Sequence, residues 1–178
     1  MPRDFAWLIF VVPVFSFLVI ALVVRTFAKP AAKISGYVGI AAISATVVLS
    51  IWTLLAVMGA PHHELAVADF SWFTVGDVEI RVGLLIDSLT AVMLVVVTIV
   101  SLMVHIYSQG YMHGDPGYHR YYAWLSLFTA SMLGVIMADS LLLVFICWEM
   151  VGLCSYLLIG FWFHRPAATK AAKKAFVV

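Results

Sequence analysis

The stretch that decides the fold runs from Leu141 to Phe163 and reads LLLVFICWEMVGLCSYLLIGFWF. Its only charged side chain is that of Glu149. A helix of about 20 apolar residues crosses the roughly 30 Å hydrocarbon core of a bilayer. We therefore predict that this stretch spans a membrane and carries one carboxyl group near its middle.

Four other runs are long and apolar enough to span a membrane. The composition agrees, because 65% of the 178 residues are hydrophobic and 11% are charged, whereas soluble domains are about half apolar and a quarter charged. We predict an all-α integral membrane protein that forms a single bundle domain over residues 1–178. The five predicted spans are Ala6 to Phe27, Ile34 to Met58, Leu84 to Tyr107, Tyr121 to Ala138 and Leu141 to Phe163.

One sizeable segment, Gly59 to Gly83, separates the second and third predicted spans. Within it, two stretches rich in β-branched and aromatic residues flank Gly76-Asp77, a pair suited to a tight turn. We predict a small external β-hairpin over about 64–82. An irregular loop is the alternative, because an isolated hairpin is marginally stable.

The basic residues are distributed unevenly between the two sides that five spans define. Eight of the ten Lys and Arg residues fall on one side. The positive-inside rule then places the amino terminus outside and the carboxyl end in the cytoplasm, and we expect a bacterial plasma membrane. The eight are Arg25, Lys29, Lys33, Arg120, Arg165, Lys170, Lys173 and Lys174, and the other two are Arg3 and Arg81.

Glu149 is the strongest candidate for a functional residue. An ionised side chain at this depth costs a few kcal/mol or more, whereas a nearby cation favours the carboxylate. Small changes in hydration or in a neighbouring lysine could therefore load and unload a proton at Glu149. Gly152, Tyr156 and Gly160 follow at helical spacing, so we expect this face to contact another helix and Glu149 to point into the bundle. The alternative is a permanently protonated Glu149 that only hydrogen-bonds a neighbouring helix.

His105 is the second candidate, as a proton relay, because the reference pKa of histidine is near neutral. It belongs to a polar stripe that covers an arc of about 80° on the third predicted span. The alternative is a histidine at the membrane interface. We name Ser101, Asp139 and Tyr156 as supporting residues, and Asp139-Ser140 as caps for the fifth helix. The stripe consists of Asp87, Thr90, Thr98, Ser101, His105 and Ser108.

Redox and ligand-binding motifs are missing from the sequence. Cys147 and Cys154 lie about 10 Å apart on one predicted helix, too far to pair, so we expect both thiols to pack in the membrane. No metal-ligand spacing, phosphate-binding glycine loop, serine triad or dinucleotide fingerprint occurs. We expect no metal, no cofactor and no nucleic acid bound to this chain.

Several motifs together resemble one family. DSLTAVM at Asp87 to Met93 and HIYSQGYM at His105 to Met112 are similar to the third helix of subunit L, an antiporter-like subunit of the proton-translocating NADH:quinone oxidoreductase (respiratory complex I). ADSLL at Ala138 to Leu142 and FICWEMVGLCSYLLIGFW at Phe145 to Trp162 resemble its fourth-to-fifth turn and fifth helix. The resemblance covers about residues 64–176.

The resemblance implies that the chain translocates protons, coupled to electron transfer from NADH to quinone. Glu149 corresponds to the family's intramembrane glutamate, which pairs with a lysine on a later helix that is not in this chain. Because the family's chains are far longer, we expect this to be the N-terminal part, with Ala168 to Phe176 approaching a sixth helix.

Partners and rivals also follow from the resemblance. NADH, FMN, iron-sulfur clusters and quinone are expected in partner subunits, and the other membrane-arm subunits and the lipid bilayer are the expected contacts. Multisubunit cation/proton antiporters and membrane-bound hydrogenases share the signature, so an antiporter subunit is one alternative. A membrane scaffold that transports no ions is another.

Overall fold

The computed structural model describes residues 5–24, 33–60, 65–66, 70–75 and 78–177. Within them the chain is mostly helical, with four short strands between the second and third helices. The π-helical segment Val19–Val24 extends the first helix. The α-helices are α1 (Ala6–Leu18), α2 (Lys33–Met58), α3 (Ser88–Tyr111), α4 (Tyr118–Met137), α5 (Leu141–Ile159) and α6 (Pro166–Val177).

Side-chain caps decide where two of these helices begin. The Asp87 carboxylate accepts a hydrogen bond from the Thr90 amide at 2.7 Å and starts α3. Ser140 caps α5 by accepting from the Leu143 amide at 3.3 Å. Each cap satisfies an amide that has no partner within its own helix.

The predicted third span begins four residues too early. Leu84 forms an isolated bridge with Ala138, and Leu85–Ile86 is a short strand rather than helix. The helix begins only after the Asp87 cap, which sequence hydropathy alone does not show. At the other end α3 continues to Tyr111, beyond the predicted Tyr107.

The other predicted boundaries differ by a few residues. The first helix is described to Val24, and the predicted continuation to Phe27 lies outside the described residues. The fourth predicted span begins three residues late, because α4 starts at Tyr118. The fifth is too long, because α5 ends at Ile159 and a turn follows.

Four short strands connect α2 to α3. β1 (Leu65–Ala66) pairs antiparallel with β4 (Leu85–Ile86). Between them β2 (Phe70–Val75) pairs antiparallel with β3 (Val78–Val82), with an irregularity between Ser71 and Phe73. The predicted Gly76-Asp77 turn lies outside the described residues.

Among the described residues, four helices are long and apolar enough to cross a membrane, namely the extended first helix, α2, α3 and α5. Their outward surfaces carry large apolar side chains, such as Leu22, Leu55 and Leu89, that are 61 to 71% exposed. A soluble protein rarely exposes apolar surface on this scale. The surface therefore suits contact with lipid.

α4 is the central helix of the bundle, and it packs on α1, α2, α3 and α5. A helix shielded by neighbours has little contact with lipid, so it can carry more hydroxyl-bearing residues than an outer helix. α5 is the opposite case, because among its residues only Cys147 and Cys154 are buried. Most of α5 therefore faces away from the other helices.

Gly134 on α4 marks the closest approach of α4 to α5. A Cβ atom at Gly134 would lie 2.6 Å from the Cys147 sulfur and 3.0 Å from the Phe10 ring. Cys147 and Cys154 are both free and buried, which confirms the predicted packing role. The two thiols form the seam by which α5 attaches to the bundle.

Candidate functional site

Glu149 is the ninth of the 19 residues of α5, so it lies next to the middle of an apolar helix. Its side chain is exposed and borders a shallow depression. The other lining residues are all apolar: Phe145, Ile146, Met150, Leu153 and Phe176 of α6. The carboxyl group therefore has apolar neighbours and no cationic one in this depression.

The prediction that Glu149 points into the bundle is wrong for the helices described. Cys147 and Cys154, spaced by seven residues, form the buried side of α5. A residue two positions after Cys147 lies about 200° around the helix, on the opposite side. Cysteine is among the most buried residue types, so the two thiols were the signal in the sequence that the interpretation missed.

The small-residue face that follows Glu149 is open at its centre and covered at its end. A Cβ atom at Gly152 would meet nothing within 4 Å, whereas one at Gly160 would lie 3.2 Å from the Cβ of Ala172 on α6. Tyr156 is half-buried, and its ring lies 5.4 Å from that of Phe176. The helix that covers this face is therefore α6, and only beyond Gly152.

His105 is fully buried between α2, α3 and α4. Its Nδ1 lies 2.8 Å from the Ser101 carbonyl oxygen, which can only accept, so Nδ1 carries the proton and Nε2 is an acceptor in the neutral ring. Nε2 has no hydrogen-bond partner among the described residues. The ring is therefore enclosed by three helices and does not face the outer surface of the bundle.

Two hydroxyl groups of α4, those of Thr129 and Tyr122, contact this part of α3. Ser101 Oγ lies 2.6 Å from Thr129 Oγ1 on α4 and 3.4 Å from His105 Nδ1. The Tyr122 hydroxyl donates to the His105 carbonyl oxygen at 2.8 Å. Ser101 is among the predicted supporting residues, whereas Thr129 and Tyr122 are not.

Gly39 of α2 permits the close approach of this helix to His105. A Cβ atom at Gly39 would lie 3.1 Å from His105 Cδ2 and 3.3 Å from the Tyr122 ring.

The sequence signal that could have identified Tyr122 and Thr129 is a row of hydroxyl side chains at helical spacing on α4, which matches the polar stripe on α3. The row consists of Tyr118, Tyr122, Ser126 and Thr129. The structure joins the two stripes, but it places Glu149 on the opposite side of α5 from them.

The Asp139 side chain has a structural role. Its Oδ1 accepts a hydrogen bond from the Gly83 amide at 3.1 Å, next to the bridge between Leu84 and Ala138. Ser140 alone makes the cap of α5. Asp139 therefore ties the strand before α3 to the turn between α4 and α5.

Within the described ranges, no group of three or more His, Cys, Asp or Glu side chains is placed to hold a metal ion. The chemical groups that the described helices bring to the membrane interior include one carboxyl, one imidazole, two thiols and a set of hydroxyls. These groups can exchange protons.

Two family models match the chain. One, described as the N-terminus of chain 5 of NADH-ubiquinone oxidoreductase (complex I), matches residues 72–122. The other, described as the transmembrane part of NADH:quinone oxidoreductase and Mrp antiporters, matches residues 138–178. Together they cover just over half of the chain.

Similar proteins include subunit 5 of the chloroplast NAD(P)H-quinone oxidoreductase of Anthoceros angustus, 44% identical over 97% of this chain and 24% of its own length. Chain 5 of the Synechocystis NAD(P)H-quinone oxidoreductase is 43% identical over 97% of this chain and 25% of its own length. The chain thus spans about a quarter of the length of the curated relatives it matches.

Two solved complexes share the fold over 97% of this chain. The Mrp complex of Dietzia sp. matches with a TM-score of 0.73 and 28% identity, over 17% of the matched chain. The membrane-bound sulfane sulfur reductase, an archaeal respiratory membrane complex, matches with a TM-score of 0.77 and 15% identity, over 33% of its chain. This similarity and the apolar helices of the chain together show that it is an integral membrane protein.

Proposed function

Because the chain belongs to the antiporter-like subunit family of NADH:quinone oxidoreductases, we propose that it lies in the membrane arm of such an enzyme and translocates protons. The driving force would be electron transfer from NADH to quinone. The observation that carries this proposal is Glu149, a carboxyl group at the centre of an apolar span in a chain of this family.

Glu149 acts in this proposal as a switching carboxylate. Its neighbours in the depression are apolar, so an ionised carboxylate facing lipid there would cost a few kcal/mol or more. The open face around Gly152 leaves room for another helix. We propose that later helices of the family, with their lysine, cover this face, and that approach of the lysine favours loss of the proton from Glu149.

His105 is proposed as a relay, with Ser101, Thr129 and Tyr122 holding it in place. The neutral ring offers an unpartnered acceptor at Nε2 and a proton at Nδ1. An imidazole can therefore accept a proton at one nitrogen and release one from the other. The hydroxyls of Ser101 and Thr129 extend this path to α4.

The redox chemistry belongs in this proposal to partner subunits. NADH, FMN, iron-sulfur clusters and quinone would be bound there, since this chain has no dinucleotide fingerprint and no metal-ligand spacing in its sequence. Other membrane-arm subunits and the surrounding lipid would contact the outer surfaces of the helices.

We also propose five complete spans, with α4 as the span enclosed by the others and α6 as the start of a sixth helix. The amino terminus and the β2–β3 hairpin would lie outside, and the carboxyl end in the cytoplasm of a bacterium, as the distribution of basic residues predicts. Glycosylation or thiol labelling of tags at the two ends would test this orientation.

An antiporter subunit is the second candidate function. Its support is the likeness to the Mrp complex and the family model that includes Mrp antiporters. A proton-pumping oxidoreductase subunit and a sodium/proton antiporter subunit differ in sodium dependence and in the need for NADH, so both can be tested in the same vesicles.

The test is Glu149→Gln in inverted membrane vesicles that contain the whole complex. NADH-driven acidification should be lost, because the amide keeps the shape of the side chain but cannot bind and release a proton. The matched control is Asp139→Asn, which makes the same change at the turn and keeps an oxygen that can accept from Gly83. Pumping by the control should equal that of the wild type.

Three results would contradict the proposal in different ways. Unchanged pumping in Glu149→Gln would support a scaffold that moves no ions. Proton movement that needs sodium but not NADH would support the antiporter. Purification of the chain from its membranes without any redox subunit would remove the assignment to an oxidoreductase.

A further inference from the structure

Arg120, in the first turn of α4, is a cation surrounded by three aromatic rings. Its guanidinium carbon lies 5.1 Å from the ring centre of Trp124, 5.0 Å from that of Phe161 and 5.6 Å from that of Phe163. The negative faces of such rings attract a cation and order it. They do not neutralise its charge, so the guanidinium can still bind an anion.

The guanidinium also has hydrogen-bond donors to spare. It makes one long hydrogen bond, from NH2 to the Phe161 carbonyl oxygen at 3.4 Å, and its buried Nε has no partner in the described part of the chain. Asp115, just before α4, accepts from the Gly117 amide at 2.7 Å and from the Trp162 indole at 3.0 Å. Both oxygens of this carboxylate are thus already in use.

An apolar cavity of about 180 Å³ lies beside Arg120 between α4, α5 and α6. Trp124 and Phe163, which flank Arg120, also line this cavity. The hydroxyl of Thr169 in its wall already donates to the Phe163 carbonyl oxygen at 3.0 Å. The space equals that of about six water molecules in the liquid, but its mostly apolar wall suits a short length of alkyl chain better.

More cations lie around the same end of the bundle. Arg165 lies 5.1 Å from the ring of Trp162, and Lys170 is exposed on the first turns of α6. This end follows the last residue of the apolar span α5, where a bilayer surface is expected. Aromatic side chains are typical of that boundary, and basic clusters there attract anionic lipids.

We propose that this end of α4, α5 and α6 binds an anionic phospholipid. Its phosphate accepts hydrogen bonds from the Arg120 guanidinium, and part of one acyl chain enters the adjoining cavity. Arginine suits phosphate because its planar donors form charge-assisted pairs with phosphate oxygens. The rings of Trp124 and Phe163 contact both the cationic and the apolar part of the site.

The test measures lipid preference in the protein purified from its native membranes with its co-purifying subunits. Spin-labelled phosphatidylglycerol and phosphatidylcholine are compared in reconstituted vesicles, and the fraction of immobilised label is recorded for each. The wild type should prefer phosphatidylglycerol, and Arg120→Gln should weaken that preference about fivefold, as expected for loss of one cation at a membrane surface. Arg120→Lys keeps the charge and should keep most of the preference.

The matched control is Lys174→Gln, which removes a charge from an exposed position in the last turn of α6. Equal loss in this control would overturn the proposal, because it would show a diffuse charge effect. No preference in the wild type would also overturn it, whether or not the Arg120 variants fold. Displacement of the labelled lipid by 10 mM inorganic phosphate would show a general anion site instead of a phospholipid site.

Discussion

Replacing Gly134 by alanine tests the seam between α4 and α5. The new methyl group would lie 2.6 Å from the Cys147 sulfur, closer than non-bonded atoms come, and 3.0 Å from the Phe10 ring. Overpacking of this kind costs about 1–3 kcal/mol, whereas alanine in a helix interior gains about 1 kcal/mol over glycine. We expect Gly134→Ala to lower the free energy of unfolding by up to about 2 kcal/mol.

A double-mutant cycle separates the two contributions. Cys147→Ala removes the sulfur, so Gly134→Ala in that background should be nearly neutral or stabilising, and the coupling energy should be about 1–3 kcal/mol. Unfolding in mixed detergent micelles gives the four free energies. The reaction rate of Cys147 with a maleimide, measured with Cys154 replaced by alanine, reports locally whether the seam has opened.

A coupling energy below about 0.5 kcal/mol, the usual scatter for independent sites, would refute the predicted clash with Cys147. Equal rates of maleimide reaction at Cys147 in the wild type and in Gly134→Ala would refute it as well. Either result would mean that α4 and α5 do not approach each other closely at Gly134.

Two further predictions concern α3. The Thr90 amide holds the pKa of Asp87 below its usual value, so the cap stabilises the fold fully above about pH 4 and the stabilisation disappears as the pH falls through the lowered folded-state value. Thermal unfolding scans between pH 3 and 6 should show this loss, and Asp87→Asn should remove the pH dependence. Tyr122→Phe deletes the hydrogen bond to the His105 carbonyl and should reduce stability by about 1 kcal/mol. If Tyr122 also positions the proposed relay, Tyr122→Phe should slow pumping in vesicles, and His105→Gln should slow it more. Unchanged pumping in both variants would remove His105 from the pathway.

The membrane spans could be predicted because few backbone structures satisfy their own hydrogen bonds inside a bilayer. An apolar run of about 20 residues has to satisfy its backbone hydrogen bonds as a helix, so hydropathy located α2 and α5 within a few residues. The Ser140 cap was predicted from local chemistry, because a serine hydroxyl can accept a hydrogen bond from an amide in the first turn of a helix. The start of α3 was missed because it depends on the Asp87 side chain and not on hydropathy.

The small residues that follow Glu149 do not indicate the direction in which its side chain points. Small residues such as Gly152 can line a contact with any helix, including one that is not in this chain. The contact that α5 makes depends instead on Gly134, a residue of another helix. The two thiols of α5 mark its buried side, but its fit against Gly134 is a property of two helices together, so the pattern of α5 alone does not contain that fit.

The polar stripe on α3 was predicted correctly as a stripe, and its partners were not. Thr129 and Tyr122 look ordinary in an apolar sequence, since hydroxyl groups within membranes often bond their own helix backbone. Thr129 does so as well, by donating to the Leu125 carbonyl oxygen at 3.0 Å. Its second contact, with Ser101, follows from the way α3 crosses α4.

The hydrogen bond between Asp139 and the Gly83 amide acts as a mechanical strap. It joins positions 56 residues apart in the sequence, and on either side of it the chain continues directly into α5 and towards α3. In the proposed mechanism, a tilt of α5 that accompanied a change of charge at Glu149 would be transmitted through this bond to the base of the hairpin and to the first turn of α3. The exchange rate of the Gly83 amide hydrogen would therefore report on such a motion of α5.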